Sequence, residues 1–184
     1  MVDPHPIPNT AIKVDVPDTV QFIGYTCGAA ALLAICRYYG VGPRSERRVV
    51  EDMRFGKAGS DPKHVLRAAT RYGLAHEEFR PMTIQQVRSC LDRARPVMIM
   101  LQAWADSPPA SYADHWDDGH WLVAIGHDAH GIYFEDPSLE GARGYLTDAE
   151  LDQRWHDIEG KDDHHVDHYG VAIWKPPLAA RPIG

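Results

Sequence analysis

Apolar residues along the chain first recur at helical spacing and then, from about residue 96, gather into short unbroken runs. The segment TCGAAALLAICRYYG is apolar on nearly every side up to Arg37, is bounded by Gly40 and is followed by Pro43. A helix that is apolar all round belongs inside a core. Thr26 is expected to cap its first turn, which puts Cys27 at the positive end of the helix. SERRVVEDM reads as a short surface helix. SDPKHVLRAATRYG offers Ser60 or Asp61 as a start, Pro62 in the first turn and Gly73 as a stop. Its residues Val65, Leu66, Ala69 and Tyr72 form one face, as do Ile84, Val87, Cys90 and Leu91 of TIQQVRSCLDRA.

After Pro96 the period changes. PVMIMLQAW is a continuous apolar run of strand length. HWLVAIGHD and GIYFED flank Ala129-His130 and predict an antiparallel hairpin, while YGVAIWKP predicts a closing strand. LTDAELDQRW reads as a late helix, and a loop rich in Pro, Ser and Asp separates Trp104 from Gly119. No repeat or linker divides the chain. The expectation is one α+β domain over 1–184, its helical part leading and an antiparallel sheet following. Residues 1–16 form an extended proline-rich arm, and 176–184 a tail.

Composition narrows the function classes. A hydrophobic share of 44% and a charged share of 24% over 184 residues suit a folded globular chain. The net charge of -7 argues against a nucleic-acid partner, because phosphate binding draws on excess lysine and arginine. Three widely spaced cysteines argue against a disulfide framework and for thiols in a reducing compartment. The first residues have neither a basic cluster nor an apolar core, so a cytoplasmic location without a signal peptide is expected. No apolar run approaches the roughly 20 residues that span a bilayer.

Against this background Cys27 stands out. A thiol is a weak nucleophile until it ionises, and a helix N-terminus with a neighbouring imidazolium lowers its pKa. Gly28 and Ala29, Ala30 and Ala31 leave room for close approach at that end of the helix. Gln21 precedes Cys27 on a turn-prone stretch with Gly24, where its amide is placed to donate to an oxyanion alongside the Cys27 N–H. Among the 11 histidines, His120 opens a buried strand directly after a glycine, which suits a base that reaches a helix tip.

The segment QFIGYTCGAAALLA resembles the oxyanion-glutamine and nucleophile segment of papain-like peptidases, in particular the bacteriocin-processing (double-glycine leader) branch and its stand-alone relatives. GHWLVAIGHDAHGIYFEDPS is similar to that family's second motif, a histidine opening a strand that returns to an Asp-Pro. The resemblance runs from about residue 17 to 138. It implies a papain-like fold with the nucleophile helix packed on an antiparallel sheet. It also implies that Gln21 is the oxyanion donor, Cys27 the nucleophile, His120 the general base and Asp136 the carboxylate that orients it. Hydrolysis of a peptide or related amide in a peptide or protein substrate follows, through a thioester and without a cofactor. The alanines after Gly28 depart from the second cysteine and the aromatic residue of the papain signature. A hairpin turning symmetrically at Ala129-His130 would leave Asp136 about three residues short of His120, roughly 10 Å at ~3.4 Å per residue, so a bulge or an irregular strand start is required.

Other readings compete at particular positions. Cys36 and Cys90 fit small core residues. His64, His76, His127 and His130 fit the surface. KDDHHVDH, from Lys161 to His168, offers metal ligands but is crowded and has the polarity of an exposed loop, so no metal site is expected. Asp106, Asp114, Asp117 and Asp118 precede His120 in a stretch that reads either as a solvated loop or as an acidic rim favouring a cationic substrate. Trp116 and Trp121 fit a shield for the histidine, and core packing accounts for Trp121 equally well. Acyl or peptidyl transfer on the same residues, a non-catalytic peptide-binding module and a metal-binding tail are the alternative functions.

Overall fold

The computed structural model describes residues 7–107, 109 and 111–177; the first six residues of the expected arm and residues 178–184 of the expected tail lie outside them. In chain order the elements are β1 (Ile12–Lys13), α1 (Cys27–Tyr39), α2 (Glu46–Met53), α3 (Pro62–Arg71), β2 (Ala75–Phe79), α4 (Ile84–Leu91) and β3 (Val97–Gln102). They continue with β4 (Gly119–His127), β5 (Gly131–Glu135), β6 (Gly144–Thr147), α5 (Asp148–Arg154), β7 (His156–Glu159), β8 (His164–Asp167) and β9 (Gly170–Trp174). The main sheet is antiparallel in the order β2-β9-β3-β4-β5-β6, and β1 pairs with β4 beyond the end of β3. The α+β class read from the change of period is the one observed. Among the described residues no helix is long and apolar enough to cross a membrane.

Helix α1 is buried from Cys27 to Cys36 and packs on β4, as its all-round apolar surface requires. It ends at Gly40, whose φ of 64° turns the chain and lets its N–H reach the Arg37 carbonyl. The expected side-chain cap by Thr26 is not formed. Its hydroxyl donates to the Ile23 carbonyl at 2.7 Å and accepts the Ile23 N–H at 3.3 Å, closing a tight loop ahead of the helix. In α4 Thr83 does accept the Gln86 N–H. In α3 His64 accepts the Asp61 N–H at 2.9 Å, so it closes the first turn instead of standing free on the surface.

Besides β1, which lies within the expected arm, four strands have no counterpart in the sequence reading. β2 is a polar edge strand paired with β9, β6 is four residues long, and β7 and β8 form a separate two-stranded hairpin. The histidine-rich run, expected as a loop, supplies the turn and second strand of that hairpin. Only Val166 of β8 is buried, which is why no apolar pattern marks it. The arm is also tied down. The Val14 N–H bonds the Ile125 carbonyl at 2.6 Å, Val16 is buried, the Thr19 N–H bonds Glu135 at 2.7 Å and the Gln21 N–H bonds the Pro137 carbonyl at 2.8 Å. The chain thus runs along β4 and β5 and delivers the start of α1 to the far end of both strands.

Candidate active site

Three chain positions converge where α1 begins. Cys27 is its first residue, His120 is the second residue of β4, and Asp136 follows the last residue of β5. All three are buried, at 7%, 6% and 1% exposure. His120 Nε2 lies 2.8 Å from Asp136 Oδ1. The Cys27 thiol hydrogen-bonds the His120 side chain, for which Nδ1 is the ring nitrogen that remains.

Two devices bring Asp136 to His120. The hairpin register shifts between Ala124 and Gly126, so one residue of β4 bulges out. That shift puts residue 120 opposite 138 instead of 139, and Ser138 Oγ is indeed 3.4 Å from His120 Nε2. The remaining gap is closed by a turn at Pro137, where the Leu139 N–H bonds the Asp136 carbonyl at 2.9 Å and the Ser138 N–H bonds Asp136 Oδ1 at 2.8 Å. The carboxylate therefore reaches back along the strand.

Trp104 completes the setting of Asp136, and the sequence reading passed it over. Its indole N–H donates to Asp136 Oδ2 at 3.0 Å. Its backbone φ is 62°, a left-handed value that costs a non-glycine residue roughly 1–2 kcal/mol. The position just past the β3 run is the only sequence signal it carries. Trp121 also has a part that no pattern announced. Its backbone N–H, with that of Gly28, hydrogen-bonds the Cys27 sulfur. Its ring packs beside Gly28, where a Cβ would fall 2.9 Å from Trp121 Cδ1 and 2.1 Å from Ser60 Oγ. Only glycine fits there.

The electrostatics follow from these contacts. Burial alone would push the Cys27 thiol up, but the hydrogen bond and charge of His120, with the Trp121 and Gly28 N–H groups, bring it below the usual thiol value. Burial likewise disfavours the His120 cation, yet hydrogen bonds to Asp136 and Cys27 raise the imidazole above its usual value. The two shifts point one way: each group favours the charged form of the other, which is the direction of a thiolate–imidazolium pair.

The structure joins Cys27, His120 and Asp136 in one hydrogen-bonded chain, and it leaves Gln21 beside that chain. The Gln21 backbone bonds Pro137, while its amide Nε2 donates to the Ile23 carbonyl at 3.3 Å and its Oε1 is buried without a partner. The thiol opens onto a cleft of about 630 Å³ between residues 54–64 on one side and residues 116–121 and 157–163 on the other. The rim is mixed in charge, in contrast to the acidic rim read from the sequence. Of the four loop aspartates only Asp117 lines it, Asp118 is taken up by His115 at 2.5 Å, and Arg54, Lys57 and Lys63 supply the opposite wall.

Behind His120 the fully buried Gln102 amide links the loop to the hairpin. It accepts the Asp118 N–H at 3.0 Å and donates to the His156 carbonyl and to Asp157 Oδ1, both at 3.2 Å. Trp116 stacks on His165 with ring centres 3.9 Å apart and leans on His156 at 4.3 Å. Among the described residues no three His, Cys, Asp or Glu side chains are grouped to hold a metal ion.

The family model described as "Peptidase_C39 like family" matches residues 13–162. No curated protein matches the sequence. Among solved structures, a double glycine motif protease from an AMS/PCAT transporter, in complex with the leader peptide, has 21% identity over 88% of this chain and 92% of its own, with a TM-score of 0.60. A Bacillus anthracis protein described as a C39-like peptidase has 13% identity over 91% and 99%, with a TM-score of 0.70. The peptidase domain of Streptococcus ComA, a bi-functional ABC transporter, has 14% identity over 84% and 95%, with a TM-score of 0.63. At these identities the likenesses speak for the fold, which is papain-like.

Proposed function

From the premise that the chain belongs to the peptidase C39-like family and is a cysteine peptidase by class, we propose that it hydrolyses a peptide or related amide bond through Cys27, His120 and Asp136. One observation carries this reading: a buried thiol at a helix start shares a hydrogen-bonded chain with an imidazole and a carboxylate. The Cys27 thiolate attacks the scissile carbonyl carbon, and the oxygen becomes an oxyanion held by the Cys27 N–H and the Gln21 amide, once the latter turns from Ile23. The imidazolium of His120 gives its proton to the amine as the carbon–nitrogen bond breaks, leaving a thioester. Water then attacks the thioester carbon while His120 takes its proton. The acid departs and the thiolate returns. Asp136 keeps the ring oriented and stabilises its cation throughout. A solved relative bound to a leader peptide supports a peptide as the substrate.

The test is digestion of a peptide library by the wild type and by Cys27→Ala, with acid-quenched samples searched by mass spectrometry for an acyl adduct on Cys27. Cleavage with a trapped adduct in the wild type and neither in the variant is expected. Cleavage that persists without Cys27 would sink the reading. Glycinamide added to the same digests separates transfer from hydrolysis, because a transferase would yield amide-capped products.

A further inference from the structure

The wall of the cleft that carries His120 holds a second buried carboxylate, and the reaction above makes no use of it. Asp157, in β7, is only 8% exposed and lines the same cleft as Cys27 and His120. Its Oδ1 accepts the Ile158 N–H at 2.8 Å and the Gln102 amide at 3.2 Å. The carboxylate presses on Gly119, where a Cβ would fall 2.2 Å from Oδ1 and 2.7 Å from Oδ2. The glycine immediately before His120 is thus what makes room for it. Among the described residues no hydrogen bond or ion pair engages Oδ2. The cleft's Lys63 is drawn instead to Asp61, at 3.1 Å.

A neutral amide would serve the fold equally well at this position. The two donors on Oδ1 need only one carbonyl-type acceptor, so the second oxygen and the negative charge are surplus to packing. Burying a carboxylate whose second oxygen has no ion-pair partner is costly. Burial pushes the Asp157 carboxyl up to about 7, offset only in part by the Ile158 and Gln102 donors and the charge of His120. The missing cation is supplied most simply by whatever occupies the cleft. Because Asp157 abuts the residue next to the base, a group seated on Oδ2 belongs within one or two residues of the scissile bond.

We propose that Asp157 is a specificity-determining residue that binds a protonated primary amine of the substrate close to the scissile bond. This rests on Cys27 and His120 being the reacting pair. A lysine side chain and a free peptide N-terminus carry the same chemistry, and the test tells them apart.

The probes are short peptidyl acyloxymethyl ketones that alkylate a cysteine nucleophile. They are made with lysine or norleucine at each of the three positions before the warhead, each with a free or acetylated N-terminus. The rate of Cys27 modification is followed by intact-protein mass spectrometry in the wild type and in Asp157→Asn, with iodoacetamide as the reference. At least ~10-fold faster labelling by one amine-bearing probe than by its neutral match is expected, on the scale of a buried charge-assisted pair. Asp157→Asn should bring that ratio close to one and leave the iodoacetamide rate nearly unchanged. A preference tracking lysine assigns the amine to a side chain, and one tracking the unblocked end assigns it to an N-terminus.

Equal labelling by amine and neutral probes in the wild type overturns the proposal, and so does a ratio that survives in Asp157→Asn. In either case rapid iodoacetamide labelling of Cys27 leaves the triad reading standing. A Cys27 that resists iodoacetamide and every probe overturns both. Should the Asn variant fail to fold, the wild-type contrast decides alone, since it involves no substitution.

Discussion

Cys27 and Cys36 lie on the same helix, both are free and both are buried, yet their thiols are driven in opposite directions. In the middle of α1 burial acts unopposed and pushes the Cys36 thiol up to about 12. At the start of α1 the same penalty applies, but His120 and two backbone N–H groups reverse it. Neither the residue type nor its depth makes the difference. The first turn of a helix has N–H groups with no carbonyl to bond, whereas the third turn has none to spare. Strand β4 passes over that first turn and adds an imidazole and the Trp121 N–H. One helix therefore holds an inert core thiol and a poised one.

The largest expected effect is on alkylation. A thiol held near 12 is ionised to only about 10⁻⁵ at pH 7, so iodoacetamide should modify Cys27 at least ~10³-fold faster than Cys36 in native protein. The sign of the pH dependence follows from the two shifts. Cys27 is ionised above its lowered pKa, so rapid labelling should persist below pH 9 and fall as the pH drops through that lowered value and the thiolate is protonated. Peptidase activity should share that acid limb and also decline in alkali, as pH passes the raised His120 value and the proton for the leaving amine is lost. Peptide mapping after brief labelling across pH checks the first part, with Cys36→Ala keeping the fast phase and Cys27→Ala losing it. Equal labelling of the two thiols would erase the distinction between the two ends of α1.

A smaller effect separates the poised thiol from the rest of the machinery. Under the role proposed for it, Gln21→Ala should lower turnover by about 10²–10³-fold while Cys27 alkylation proceeds as before. The amide rests on the Ile23 carbonyl and is not among the groups that lower the thiol, so the thiolate does not depend on it. Kinetics on a peptide cut by the wild type, run beside iodoacetamide labelling, read the two quantities separately. Unchanged turnover would reduce Gln21 to a residue that only packs beside Pro137.

Much of this was legible in the sequence, for identifiable reasons. The all-apolar run of α1 and the unbroken runs of β3, β4 and β5 signal burial directly, and burial on both sides fixes them as the centre of the fold. Cys27 and His120 were legible because each sits at the terminus of such an element. The short strands β6, β7 and β8 were not, since four residues with one polar face carry no period to detect. Trp104 and Asp157 were invisible for another reason. Each acts through a partner distant in sequence, Asp136 in one case and Gln102 in the other, and only the folded register brings them together. The acidic rim was misjudged in the same way, because the lysines facing it belong to a segment far upstream.

The smallest expected effect reaches the thiol at third hand, and Trp104→Phe measures it. Trp104 is linked to Cys27 through two other residues: it holds Asp136 Oδ2, Asp136 holds His120, and His120 holds the thiol. Phenylalanine keeps most of the apolar ring and removes the N–H, so the carboxylate loses one of the contacts that fix its plane while the Ser138 N–H remains on Oδ1. Hydrogen bonds to charged groups are worth about 1.5–3 kcal/mol, and a loss at the lower end, passed on through orientation, lowers kcat by about 10-fold. KM should stay near its original value, because Trp104 is not among the residues lining the cleft. Cys27 alkylation should slow in step with kcat while Cys36 is unaffected, which distinguishes lost positioning from general loosening of the fold. Trp174→Phe is the matched control, since that indole stacks under Arg95 at the opposite end of the sheet and should leave kcat unaltered. If Trp104→Phe and Trp174→Phe behave alike, the 3.0 Å indole bond contributes packing only, and Asp136 is held by the turn at Pro137 alone.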